Sequence, residues 1–200
     1  MSAHEMLSHK ERLLRQGMRL FYAQGFHGTT VDGILASAAV PKGSFYHHFG
    51  SKDVFGQAVL DRYMRFQIDV FLKWAARDDV STPRKLSGYF TELSGIFVNS
   101  GYQRACLAGK FSTEVSATSE LFRRQLADQI RSWKSGVIGL LRQGQASGDV
   151  RTDRSAADLA DAVLSLIQGA FVLVLSTRDE HTLDAVATTI ELLVEPPAVT

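Results

Sequence analysis

The chain has 200 residues, 45% hydrophobic and 22% charged, the size of one domain or of two small ones sharing a core. This ordinary globular composition excludes a disordered chain, a collagen-like chain and a disulfide mini-scaffold. A formal net charge of +1 excludes a polycation, so a nucleic-acid site must be a local concentration of charge. The single cysteine, Cys106, permits no intramolecular disulfide, and residues 1–10 carry no apolar leader, which together fit a reducing cytoplasm.

Apolar spacing is helical nearly throughout, and no stretch alternates with the period of a strand. Leu14, Met18, Phe21 and Tyr22 share one face of a helix over 8–24. Gly25 suits a left-handed stop with Phe26 packing back. Thr30 is an N-cap for a short helix over 31–38, whose buried side is Val31, Ile34, Leu35 and Ala38. Pro41 pre-sets a second short helix over 41–49, Gly50 ends it, and Ser51 caps a long helix over 52–76. Further helices are predicted over 83–99, 104–115, 119–147, 155–177 and 182–194, making about nine. The apolar run over 162–175 is too short for a membrane span of about 20 residues, so it reads as a helix buried on more than one side.

One helix followed by two short ones is the spacing of a helix-turn-helix unit. In the second short helix Phe45 and Phe49, four apart, point to the core. Lys42, Gly43, Ser44, Tyr46, His47 and His48 remain at its start and on its outer faces. Small residues at a helix start allow close approach to base edges, while lysine, tyrosine and imidazole reach phosphates. Residues 1–52 hold six Lys or Arg against three Asp or Glu, and five of the six histidines. Adjacent His47 and His48 point in different directions, which argues against metal ligation.

The string Gly25-Phe26-His27-Gly28-Thr29-Thr30-Val31, then Ile34-Leu35, then Val40 through Lys52, resembles the tetracycline-repressor-like (TetR) family. The likeness is dense over 8–55. It implies an all-α chain with a DNA-binding domain over 1–52 and a sensor and dimerisation domain over 53–200. By position it implies DNA contacts from Thr30, Lys42, Gly43, Ser44, Tyr46, His47 and Lys52. Many members have glycine at the turn where this chain has Ala39.

A second likeness, Arg104 through Val115 with Phe55-Gly56 and a terminal Pro197-Ala198-Val199, points to a subgroup that includes maleimide-responsive and acrylate-responsive repressors. It implies that Cys106 reacts with electrophiles or oxidants. Independently, a helix start beside Arg104 and Lys110 favours a thiolate, although a lone cysteine is commonly a buried small hydrophobe.

Phe66, Trp74, Phe90, Phe97, Phe111, Trp133 and Phe171 are candidates to line an apolar ligand cavity, or simply to fill a core. Few carboxylates accompany them, which disfavours a polycationic ligand. Leu166, Ala170, Val174, Val186 and Ile190, on the last two helices, are expected at a two-fold interface forming a four-helix bundle. No catalytic, phosphate-binding or metal-binding motif is present. The expectation is therefore a cytoplasmic, homodimeric repressor without cofactor, metal or membrane, which binds a palindromic DNA operator and is released by a small-molecule or electrophile inducer. The rival is a binding module or enzyme that keeps the helical fold without regulatory DNA binding.

Overall fold

A computed structural model describes residues 7–197. His4, Glu5, Ala198 and Val199 lie outside the described residues, as does most of the 1–10 stretch. Among the described residues there are nine α-helices and no strand: α1 (His9–Gly28), α2 (Val31–Ala38), α3 (Lys42–Phe49), α4 (Lys52–Ala75), α5 (Thr82–Asn99), α6 (Leu107–Val115), α7 (Glu120–Ser147), α8 (Ala156–Thr177) and α9 (His181–Val194). The chain forms two compact units, and they do not follow a single cut in the sequence. One takes in the described residues up to Phe66 together with Leu107–Ala127; the other is Gln67–Cys106 with Asp128 onward.

The first unit is built on phenylalanine. Phe21, Phe45, Phe55, Phe111 and Phe122 are essentially inaccessible to solvent. Phe21 sits 5.9 Å from Phe55 and 5.3 Å from Phe111, centroid to centroid. Such tilted and edge-on pairs add about 0.5–1.5 kcal/mol each beyond the area they bury. Gly17 lets α1 approach α4: a Cβ there would stand 2.2 Å from the Phe55 ring.

Local capping defines the helix ends. Ser8 and Thr30 accept the N–H groups of Glu11 and Gly33. Gly25 does not end α1 but breaks it, with φ +75°, after which the chain turns once more before Thr29. Ala39 takes the left-handed conformation, φ 49°, which costs a non-glycine residue about 1–2 kcal/mol. Arg12 offsets that cost by donating to the carbonyls of Ala38 at 2.7 Å and Ala39 at 2.8 Å.

In the second unit α5 packs on α9, and α9 on α8. Phe90 and Phe97 of α5 meet Phe171 of α8 at 5.7 and 5.4 Å. Helix α8 has 22 residues and is long and apolar enough, by length and composition, to cross a membrane. Its bounds agree with the helix expected over 155–177, of which the apolar 162–175 run is a part. Leu159, Val163, Ile167, Ala170, Phe171 and Val174 bury one side of it, as in the core helix of a globular unit.

Candidate functional site

Helix α3 presents the expected face. Phe45 and Phe49 are buried, while Lys42, Gly43, Tyr46, His47 and His48 are exposed and Ser44 is half-buried. Tyr46 packs edge-on against Phe45 at 5.4 Å and remains 46% exposed, so its ring is steadied on one side and open to solvent. Ser44 Oγ shares a 3.2 Å hydrogen bond with His9 Nδ1, tying the start of α3 to the start of α1. Lys42 lies 3.8 Å from Asp32, with both side chains largely in solvent. A pair of that kind contributes little and leaves the ammonium available. A Cβ on Gly43 would meet nothing within 4 Å, so the start of α3 is open to a close partner. Thr30 spends its hydroxyl on its own helix cap, at an exposed position.

Lys52 is placed differently. Its Nζ stands 4.5 Å over the Phe26 ring. Burial lowers its pKa from the ordinary lysine value, and the carboxylates of Asp53 and Glu114 oppose that shift.

Helix α6 holds α1 from the side. Glu114 accepts the main-chain N–H of Phe26 at 2.8 Å and of His27 at 2.6 Å, and Lys110 donates to the carbonyl of Tyr22 at 2.7 Å. Spacing could not reveal this clamp, because its partners are 87 and 88 residues apart in the chain. The one legible clue was Gly25, whose break frees the two N–H groups.

Cys106 is buried and lies immediately before α6, which starts at Leu107 rather than at Arg104. The preceding turn is held open by Ser100 Oγ, which accepts the N–H groups of Gln103 and Arg104. Gln168 of α8 donates through Nε2 to Cys106 Sγ at 3.0 Å. Gln168, a polar residue inside the apolar 162–175 run, thus acquires a partner.

The seven aromatic candidates are not brought together. Phe90, Phe97 and Phe171 form one cluster in the second unit. Trp133 lies beside Tyr89 in that same unit. Trp74 covers Gly88 and donates to Glu92 at 2.7 Å, Phe66 is 43% exposed, and Phe111 belongs to the core of the first unit.

Among the interface candidates, Ala170, Val174 and Ile190 are buried within the protomer, with at most 2% exposed, while Leu166 and Val186 are half-buried. The large apolar residues that α8 and α9 leave in solvent are Val172, Leu173, Leu175 and Leu192. Helical phase is the reason: Val174 lies on the side of α8 turned to the core, and Leu173 is about 100° away.

Two family models match the chain. Bacterial regulatory proteins, tetR family, covers residues 13–59, and Tetracyclin repressor-like, C-terminal domain, covers 82–190. The chain belongs to the TetR family. It is 32% identical over 184 residues to the HTH-type transcriptional repressor DhaR of Mycobacterium sp. (strain GP1), spanning 90% of this chain and 89% of that one. It is 32% identical over 157 residues to the transcriptional regulator AcuR of Cereibacter sphaeroides, spanning 78% and 71%. The crystal structure of the reduced form of Escherichia coli NemR superposes with a TM-score of 0.87 at 27% identity, over 96% of this chain and 99% of that one. As a TetR-family member the chain is a transcriptional regulator and not an enzyme, with an N-terminal helix-turn-helix domain.

Proposed function

We propose that this TetR-family chain is a ligand-responsive repressor that acts in the cytoplasm. It binds a palindromic operator as a homodimer through α3 and is released by a small-molecule or electrophile inducer acting on the sensor unit. One observation carries the DNA reading. Lys42, Gly43, Tyr46 and His47 are all exposed on a single short helix whose two phenylalanines anchor it to a packed core. A rigid helix with small residues at its start and hydrogen-bonding groups beyond suits the major groove. The naming of DhaR and NemR as repressors supports the direction of control.

Thr30, Lys42, Gly43, Ser44, Tyr46 and His47 are the proposed contacts. Lys52, whose ammonium stands over the Phe26 ring, is proposed as a further contact. The homodimer is proposed to form on the exposed side of α8 and α9, through Val172, Leu173 and Leu192. Cys106 is the proposed thiol sensor. Its position at the end of the 100–106 turn, directly before the helix that clamps α1, supports a route from thiol to DNA-binding helices. An inducer acts only through a difference in affinity between the DNA-competent state and the released state.

The test is release of labelled operator by N-ethylmaleimide, wild type against Cys106→Ser, with intact mass recorded in parallel. Release from the wild type alone, matching modification of Cys106, is expected. Equal release from both proteins, or full modification without release, removes the thiol from the mechanism.

A further inference from the structure

We propose that His9 sets the direction of the Ser44 hydroxyl proton, and so decides whether this serine reads a donor or an acceptor on a base edge of the operator. This rests on the DNA reading above, in which Ser44 is a contact, and adds a specificity-determining residue that lies outside α3.

Ser44 Oγ and His9 Nδ1 are 3.2 Å apart, across 35 residues of sequence. Both partners are firmly placed. Ser44 lies in the first turn of α3, where its main-chain N–H donates to the carbonyl of Pro41 at 3.0 Å and its side chain is half-buried. His9 opens α1 directly after the Ser8 cap, whose Oγ accepts the N–H of Glu11 at 3.2 Å. Three residues on, Arg12 ties the start of α1 to the α2–α3 turn through the carbonyls of Ala38 and Ala39. An exposed imidazole therefore stands beside the helix start proposed to face the groove, where Gly43 leaves open space.

A serine hydroxyl has one proton and two lone pairs. Neutral His9 with its proton on Nε2, the tautomer a histidine side chain ordinarily favours, accepts the Ser44 O–H at Nδ1. Oγ then has only lone pairs to offer DNA, and its match is a base amino group, N6 of adenine or N4 of cytosine. In the imidazolium Nδ1–H donates to Oγ, and the Ser44 proton turns outward. Its match is then an exocyclic oxygen, O6 of guanine or O4 of thymine. Histidine is the side chain that changes charge between about pH 5 and 8, so one serine reads opposite classes of base edge at the two ends of that range.

The charged groups of the helices packed at α1 are otherwise engaged. Glu11 pairs with Arg62 of α4 at 2.7 Å, and Asp32 of α2 with Lys42 of α3 at 3.8 Å. On α6, Lys110 and Glu114 bond to the main chain of α1 at its other end. Among the described residues no carboxylate pairs with His9. His47 and His48, whose rings meet at 5.1 Å on α3, also gain charge on acidification, and a variant of His9 separates their effect from its own.

The experiment selects binding sites from a randomised DNA duplex pool at about pH 8.5 and about pH 5.5, on either side of the histidine range. The proteins are the full-length wild type, His9→Ala and Ser44→Ala. The base position that loses its preference in Ser44→Ala is the one Ser44 reads. There the wild type is expected to favour adenine or cytosine about fivefold at the higher pH, the worth of one hydrogen bond. At the lower pH it should favour guanine or thymine to a similar degree. His9→Ala should prefer the same base at both, because His47 and His48 add charge without turning the Ser44 proton.

The same preferred base at both pH values in the wild type overturns the proposal, and so does a switch that persists in His9→Ala. Both results leave site selection intact and count against the His9 role alone. If Ser44→Ala relaxes no position, Ser44 is not a base contact and the proposal falls with that contact. A wild type that selects no site at either pH overturns the repressor reading as well.

Discussion

The carboxylate of Glu114 accepts the main-chain N–H of Phe26 at 2.8 Å, joining α6 to the broken end of α1 across 88 residues of sequence. Its second oxygen takes His27 N–H at 2.6 Å, so one side chain satisfies both donors exposed by the break at Gly25. Glu114→Ala leaves them without that acceptor and is expected to cost about 2–3 kcal/mol. At this chain length the melting temperature should fall by about 4–12 °C. Glu114→Gln, which keeps one acceptor oxygen, should lie between. Gly25→Ala should be at least as damaging, since its Cβ would sit 2.6 Å from Glu114 Oε2 at a φ of +75°. Calorimetry of the three variants checks this, and an unchanged melting point in Glu114→Ala would reduce the clamp to a surface contact.

Ala39 carries the opposite expectation. It occupies a left-handed turn at φ 49° between α2 and α3. Ala39→Gly relieves the strain while adding freedom to the unfolded chain, for a net gain of about 0.5–1 kcal/mol. Arg12→Ala, which frees the carbonyls of Ala38 and Ala39, should lose at least as much. Denaturant midpoints measured in parallel separate the two effects. A destabilised Ala39→Gly would show that the turn is not strained.

On DNA, Lys42→Ala should weaken binding to operator and to unrelated duplex alike, and flatten the slope of log affinity against log salt by about 1. Tyr46→Phe and His47→Ala should weaken operator binding more than non-specific binding. Lys52→Ala should lower stability as well as affinity, because its ammonium stands over the Phe26 ring. Fluorescence anisotropy over a salt series, with thermal melts of the same proteins, reads all four. An unchanged salt slope in Lys42→Ala removes it from the phosphate contacts.

For assembly, neighbouring positions on α8 should respond in different ways. Leu173 is 58% exposed and Val174 is fully buried. Leu173→Glu should give a folded monomer, because the charge lies in water once the partner leaves. Val174→Glu should unfold the protomer itself, since an unpaired buried charge costs several kcal/mol. Light scattering with circular dichroism tells these apart. A wild-type monomer at micromolar concentration, or a dimeric Leu173→Glu, would move the interface off this face.

The helices themselves were legible in the sequence because their causes are local. The 3.6-residue spacing of Phe45 and Phe49, the caps at Thr30 and Ser51, and the stop at Gly50 each act within a turn or two of chain. The outward face of α3 followed from the same phase, with Tyr46 exposed wherever Phe45 is buried. Relations between distant segments were decided only in the folded chain. Glu114 reads as one more surface carboxylate until α6 lies against the break in α1, and Ala39 reads as an ordinary turn residue until Arg12 arrives at its carbonyl. On the second half of α8 nearly every residue is apolar, so periodicity could not say which side the core covers, and packing within the second unit buried Val174 and left Leu173 outside. The meeting of His9 and Ser44 is of the same kind, because hydrogen-bond satisfaction depends on which side chains arrive together in space and spacing along the chain carries no record of that.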